Sequence, residues 1–129
     1  MKLHLEKGSR NQNLIDAYTS GRITVNQAHY TGSLILAPDQ LDNQWPPKSF
    51  SGLEPGHLSR LLEFDPEIIL IGTGIKTCFL PPVLAKPLIE ANIGYEVMDT
   101  AAACRTYNIL VAEGRAVVAG LIMISDSTE

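Results

Sequence analysis

The chain has 129 residues, a net charge of −4 and 45% hydrophobic residues, which fits one folded domain of residues 1–129 and excludes a disordered chain. The acidic balance, with an isoelectric point near 5.3, excludes a general nucleic-acid binder, because such a protein needs a basic face to displace counterions. No stretch approaches the roughly 20 apolar residues of a membrane helix, so we expect no membrane insertion.

The first residues predict a strand and no targeting signal. MKLHLEK alternates polar and apolar residues, which predicts an edge strand at 1–7. Glu6 and the absence of an apolar core argue against a transit or signal peptide, so we expect a cytoplasmic protein. Cys78 and Cys104 lie far apart and are expected to be free thiols in a reducing compartment.

Short β-rich runs separated by glycine, asparagine and serine fill the next part of the chain. They predict a meander of strands at 15–18, 21–26, 28–30 and 33–37. Prolines and glycines then predict a loop over 39–56. Trp45 lies in this loop, where it is either a lid over the core or an exposed contact residue.

The second half alternates helices with strands. Helices are predicted at 57–64, at 81–91 and from Asp99 or Thr100 to about Glu113, and strands at 68–71, 94–98 and 116–124. Pro87 should kink or shorten the second helix, and Gly114 should follow the end of the third. Helical crossovers between strands favour parallel pairing, and the polar tail at 125–129 should fray.

Gly72-Thr73-Gly74 follows an apolar strand and is the first candidate for a binding site. A phosphate loop needs GxxxxGK[ST] and a dinucleotide fingerprint needs GxGxxG, and Thr77 stands where the third glycine would be. The turn is therefore either a tight glycine turn or part of a ligand site beyond the strand ends.

The start of the third helix offers more polar side chains near the same edge. Asp99 and Thr100 either cap the helix or place oxygens beside Gly72–Gly74, because the ends of parallel neighbouring strands share one edge. Arg105 either pairs with a carboxylate such as Asp99 or presents its guanidinium to an anion. Asn108 either hydrogen-bonds across this edge or faces water.

Cys104 is the only plausible nucleophile in the sequence. A helix start and Arg105 would lower the pKa of its thiol, but no histidine lies nearby, and a small buried thiol is the favoured interpretation. Tyr107 falls on the apolar stripe of the helix and should be core, with its hydroxyl hydrogen-bonded. We find no paired carboxylates, no metal-spaced His/Cys set and no GxSxG, so no catalytic residue, metal or cofactor is predicted.

Together these segments resemble the Mth938-like domain family, a family of unknown function. The resemblance covers about residues 14–124 and is carried by Ile71–Gly74, Glu96–Thr100, Ala103–Asn108, Glu113–Arg115, the 30–36 strand and Trp45-Pro46. It implies an α/β fold of three layers, with a central mixed β-sheet flanked by helices and additional β structure from the N-terminal half. Mitochondrial relatives are similar to assembly factors for respiratory complex I, which bind other proteins, and the family supplies no proven catalytic residue.

The leading interpretation is a non-enzymatic accessory or assembly factor that binds an unknown protein partner. We call its candidate binding surface the rim, which comprises Gly72, Thr73, Gly74, Asp99, Thr100, Arg105 and Asn108. One alternative is a small-anion site or an enzyme pocket at the same rim, with Cys104 as a reactive thiol. A purely structural module without a site is the third.

Overall fold

The structure is a computed structural model that describes residues 12–19 and 21–123. The strand expected at 1–7 and the polar tail at 125–129 lie outside these residues. In the part of the chain that the structure describes, eight β-strands form two sheets, and three α-helices pack against them.

The small sheet contains the first three strands in the order β1-β2-β3, all antiparallel. Its strands are β1 (Ile15–Thr19), β2 (Arg22–Val25) and β3 (Ala28–Tyr30). Asn26 and Gln27 both have positive φ, 49° and 75°, which is the backbone that a two-residue hairpin turn requires.

The large sheet has five strands in the order β5-β4-β8-β6-β7. They are β4 (Leu34–Ala37), β5 (Gln40–Asp42), β6 (Ile68–Gly72), β7 (Gly94–Met98) and β8 (Val117–Leu121). β6 pairs in parallel with β7 and β8, as the helical crossovers predicted, whereas β4 pairs antiparallel with β5 and β8. The expected mixed sheet is therefore present.

Two predictions about the front half were wrong. β4 does not continue the meander, because all four of its residues are buried and it needs cover on both faces, which the large sheet provides. The stretch 39–56 is also not all loop, since it contains β5 and a short 3₁₀ helix at Phe50–Gly52. β5 has one apolar residue, Leu41, so its strand character comes from pairing with β4 rather than from its own pattern.

Three helices follow close to their predicted positions: α1 (Pro55–Leu62), α2 (Pro82–Glu90) and α3 (Thr100–Ala112). α1 begins earlier than predicted because the Nδ1 atom of His57 accepts a hydrogen bond from the N–H of Glu54 at 3.0 Å and closes the first turn. α2 continues for three residues beyond Pro87. Gly114, with φ of 79°, follows the end of α3 as predicted.

The core consists of two hydrophobic clusters, one on each face of the large sheet. α1, α2 and Trp45 pack with Ile69 and Ile71 on one face, whereas α3 and the small sheet pack with Leu70 on the other. Neighbouring residues of β6 point to opposite clusters, as the period of a strand dictates. The result is the three-layer α/β arrangement that the resemblance implied.

Trp45 is a lid over the core, which settles the two interpretations of its loop. The side chain is only 3% exposed, and its indole N–H donates to the carbonyl of His57 at 3.1 Å. A Cβ atom placed on Gly120 would lie 2.7 Å from the Cη2 atom of Trp45, so the ring lies directly on β8. The indole is therefore not an exposed contact for a partner.

Candidate functional site

The carboxyl ends of β6 and β7 bring five of the rim residues together. Gly72 is paired with Met98 in the parallel ladder, and the N–H of Thr73 donates to the carbonyl of Met98 at 2.9 Å. The N–H of Thr100 donates to the carbonyl of Gly74 at 2.9 Å. Gly72, Thr73 and Gly74 thus lie directly against Asp99 and Thr100.

The Thr100 hydroxyl ties three chain segments together and is fully buried. It accepts a hydrogen bond from the N–H of Gly74 at 2.9 Å and donates one to the carbonyl of Ile122 at 2.8 Å. A Cβ on Gly72 would lie 2.9 Å from this oxygen and 3.0 Å from the Cα of Thr100. Glycine at position 72 is therefore what allows α3 to begin so close to β6.

Two more threonines fix the β6–α2 loop, residues 73–81. The hydroxyl of Thr73 donates to the carbonyl of Lys76 at 2.7 Å and lies 3.2 Å from the N–H of Cys78, from which it accepts. The hydroxyl of Thr77 accepts from the N–H of Asp99 at 3.1 Å. These bonds hold the loop in one conformation against the start of α3.

Four backbone N–H groups at this end of the sheet have partners within the chain. Those of Thr73 and Thr100 donate to carbonyls, and those of Gly74 and Asp99 donate to threonine hydroxyls. The Asp99 carboxylate caps α3 by accepting from the N–H of Ala102 at 2.8 Å. An anion that bound these four N–H groups would have to displace the bonds, so they serve to hold the loop against the start of α3.

The supported loop exposes large apolar side chains. Phe79 is 80% exposed, Val83 in the first turn of α2 is 70% exposed, and Ile75 is 45% exposed. None of these residues is among the site residues predicted from the sequence. The available signal was an aromatic residue in a turn before Pro81-Pro82, with no helical or strand periodicity to bury it.

Arg105 and Asn108 lie elsewhere, on the side of α3 that faces β1. Arg105 is five positions after Thr100, and at about 100° per residue its side chain points roughly 140° away. Together with Ala101 and Cys104 it faces a cleft of about 340 Å³ between α3 and β1. The residues of the predicted rim therefore lie in two separate places: Gly72–Gly74, Asp99 and Thr100 at the strand ends, and Arg105 and Asn108 beside β1.

Asn108 docks β1 onto α3. Its Oδ1 atom accepts from the N–H of Ile15 at 2.9 Å, and its Nδ2 atom donates to the carbonyl of Ile15 at 2.8 Å. Tyr107 is fully buried, and its hydroxyl donates to the carbonyl of Asn13 at 2.8 Å, as expected for a core tyrosine. Arg105 makes no ion pair with any described residue.

Cys104 is a buried thiol, 4% exposed. Burial raises its pKa from the ordinary value of 9.0 to about 12, with Arg105 opposing the rise and Asp99 adding to it. The thiol is thus protonated at neutral pH, the opposite of an activated nucleophile.

Two larger clefts share no lining residue with either place. One of about 610 Å³ lies where β8 begins, at the opposite end of the large sheet from Gly72, and one of about 440 Å³ lies beside Trp45. Among residues 12–19 and 21–123, no three His, Cys, Asp or Glu side chains are grouped to hold a metal ion. No helix of this part is long and apolar enough to cross a bilayer.

Comparison with known proteins decides the family. The family described as "Protein of unknown function (DUF498/DUF598)" matches residues 15–122. The chain belongs to this family. A solution structure from Bordetella pertussis, described as an Mth938-like domain, superposes with a TM-score of 0.75 at 31% identity and covers 89% of each chain. This match confirms the Mth938-like fold.

Two curated relatives carry different names. The 13 kDa major membrane protein of Francisella tularensis is 37% identical over 99 residues, which are 76% of this chain and 80% of that protein. NADH dehydrogenase (ubiquinone) 1 alpha subcomplex assembly factor 3 of Bos taurus is 34% identical over 110 residues, which are 84% of this chain. This chain covers only 59% of the length of the cattle protein. The family therefore includes assembly factors.

Proposed function

We propose that this chain is a non-enzymatic accessory or assembly factor of the cytoplasm that binds a protein partner through its β6–α2 loop. The observation that carries the proposal is Phe79, which is 80% exposed on a loop fixed by hydrogen bonds. Aromatic side chains are enriched among the residues that dominate binding energy, and an ordered loop loses little entropy on binding.

In this proposal the five rim residues at the ends of β6 and β7 support the contact surface rather than form it. Gly72 allows α3 to approach, and the hydroxyls of Thr73 and Thr100 fix the loop beneath Phe79. The name of the cattle relative says that it assists the assembly of NADH dehydrogenase. From that name we extend to this chain only the class of function, a factor that binds a protein during assembly.

The test is affinity capture from the lysate of the native host by wild-type protein, Phe79→Ser and Ile109→Ser, with mass spectrometry of the bound proteins. Ile109 is the matched control, because it is 57% exposed on α3, away from the loop. We expect a partner to be held by wild type and by Ile109→Ser and lost by Phe79→Ser. All variants are first shown to be folded by circular dichroism. Retention of every partner by Phe79→Ser would refute the proposal.

A second candidate is a small-anion site in the cleft between α3 and β1. The observation that favours it is Arg105, which lines the cleft and makes no ion pair with the described residues. A small molecule released on denaturing wild type, but not Arg105→Ala, would support this site. The raised pKa of Cys104 argues against thiol chemistry there.

A further inference from the structure

The outer edge of β7 presents backbone groups that no strand of the described chain pairs with. β7 ends the order of the large sheet and pairs with β6 alone. The carbonyl of Met98 accepts from Thr73 and so faces β6. Because successive residues of a strand face opposite edges, the N–H and C=O groups of Tyr95 and Val97 face outward. Two donors and two acceptors are thus directed away from the sheet.

The other edges are less suited to pairing. β3 and β5 have only three residues each. On β1, the outward groups of Ile15 already bond to Asn108, and a bulge interrupts the strand. Proteins commonly block a sheet edge with a proline or a β-bulge. β7 has five residues and contains neither. Its only charged side chain is Glu96, which is exposed.

This edge continues into the β6–α2 loop. The N–H of Asp99, the residue after β7, donates to the hydroxyl of Thr77, two residues before Phe79. A segment paired with Tyr95 and Val97 would therefore have one of its ends beside the β6–α2 loop. Backbone hydrogen bonds would hold such a segment to the strand, and an apolar side chain would pack on Phe79.

We infer that an extended segment of the partner protein adds to β7 as a further strand of the large sheet. The inference rests on the proposed function, since the same partner would contact Phe79. The charges specify the segment. A side chain opposite Glu96 would lie about 5 Å away, which favours lysine or arginine there. Lys76 is the only charged side chain of the β6–α2 loop, which favours an acidic residue where the segment meets the loop.

The probe is a displayed library of short random peptides, selected on the full-length chain, from which the tightest binder is synthesised. Val97→Pro removes an outward N–H, and proline is tolerated on edge strands. Val97→Ala is the matched control, because it removes the same side-chain packing but keeps the N–H. We expect the peptide to bind Val97→Ala within about twofold of wild type and to bind Val97→Pro at least about tenfold more weakly.

Two further measurements test the inference independently of the proline variant. Binding should slow the amide hydrogen exchange of Tyr95 and Val97. Glu96→Lys should weaken a peptide that carries a basic residue, and the peptide with that residue changed to glutamate should restore the affinity. Both measurements remain available if Val97→Pro does not fold.

Several outcomes would overturn the inference. These are equal binding to Val97→Pro and Val97→Ala, the absence of any enriched peptide, or slow exchange of Tyr95 and Val97 in the free chain. Slow exchange would show that the edge is already covered, either by this chain or by a second copy. Light scattering distinguishes the two cases, because it measures the molar mass in solution. If Phe79→Ser loses the captured partner but Val97→Pro retains it, the proposed function stands and strand addition fails.

Discussion

Replacing Thr100 with valine should destabilise the fold strongly, although the two side chains have nearly the same shape. The Thr100 hydroxyl is buried and makes hydrogen bonds to the N–H of Gly74 and the carbonyl of Ile122. Valine would leave both backbone groups without a partner, at roughly 1–3 kcal/mol each. We therefore expect the free energy of unfolding to fall by about 2–6 kcal/mol.

Thr100→Ser is the matched control. Serine keeps the hydroxyl and removes one methyl group, so its cost should be near 1 kcal/mol. Urea unfolding followed by circular dichroism gives both values. With a slope of roughly 1–3 kcal/mol per molar urea, a loss of 3 kcal/mol lowers the midpoint by roughly 1–3 M. Amide exchange of Gly74 should also accelerate in the valine variant.

The result that refutes this reasoning is a valine variant no less stable than the serine variant. It would mean that the hydroxyl contributes nothing beyond its shape, and that the β6–α2 loop is not fixed through Thr100. The proposed role of Gly72, Thr73 and Thr100 in supporting Phe79 would fail with it.

Three other predictions follow from the core. Gly120→Ala would place a Cβ 2.7 Å from the Cη2 atom of Trp45, so the indole must move. We expect the free energy of unfolding to fall by about 1–3 kcal/mol and the tryptophan fluorescence emission to shift to the red. Gly32→Ala is the control, because nothing lies within 4 Å of its added Cβ, and it should change neither quantity. Unchanged emission would contradict the described packing. Because the pKa of Cys104 is raised from 9.0 to about 12, its contribution to stability is complete below pH 9 and is lost as pH rises toward 12. Between pH 9 and 10 the stability of wild type should therefore fall more steeply than that of Cys104→Ala, and equal slopes would be evidence against the buried thiol. Asn108→Leu removes both hydrogen bonds to Ile15. The free energy of unfolding should fall by about 1–3 kcal/mol, and amide exchange at Ile15 should accelerate. Arg105→Leu on the same helix should leave amide exchange at Ile15 unchanged.

Much of the second half of the fold is readable from sequence because its signals are local. The apolar run of β6 is buried in the sheet, and Asp99 and Gly114 mark the two ends of α3. The sheet topology of the front half was harder to predict, because the local sequence of a strand does not say which strand it pairs with. β4 resembles a fourth hairpin strand, yet its neighbour β8 lies more than 80 residues later.

The candidate site was predictable only in part. Parallel pairing correctly placed Gly72–Gly74 beside Asp99 and Thr100. Arg105 and Asn108 were grouped with them by closeness in sequence, although the turn of the helix directs them toward β1. Phe79 was overlooked because a glycine turn suggests a ligand, whereas here the turn displays a side chain. Burial decides that difference, and burial is not visible in the sequence.

The position of β8 has a consequence for synthesis of the chain. β8 is the last strand of the described residues, yet it lies at the centre of the large sheet, between β4 and β6. Until the ribosome has released it, the inner edges of two fully apolar strands have no partner. Nascent or truncated chains that end before Val117 would therefore expose a gap that other strands can enter. Such chains should be prone to aggregation and should depend on chaperones more than the small size of the finished domain suggests.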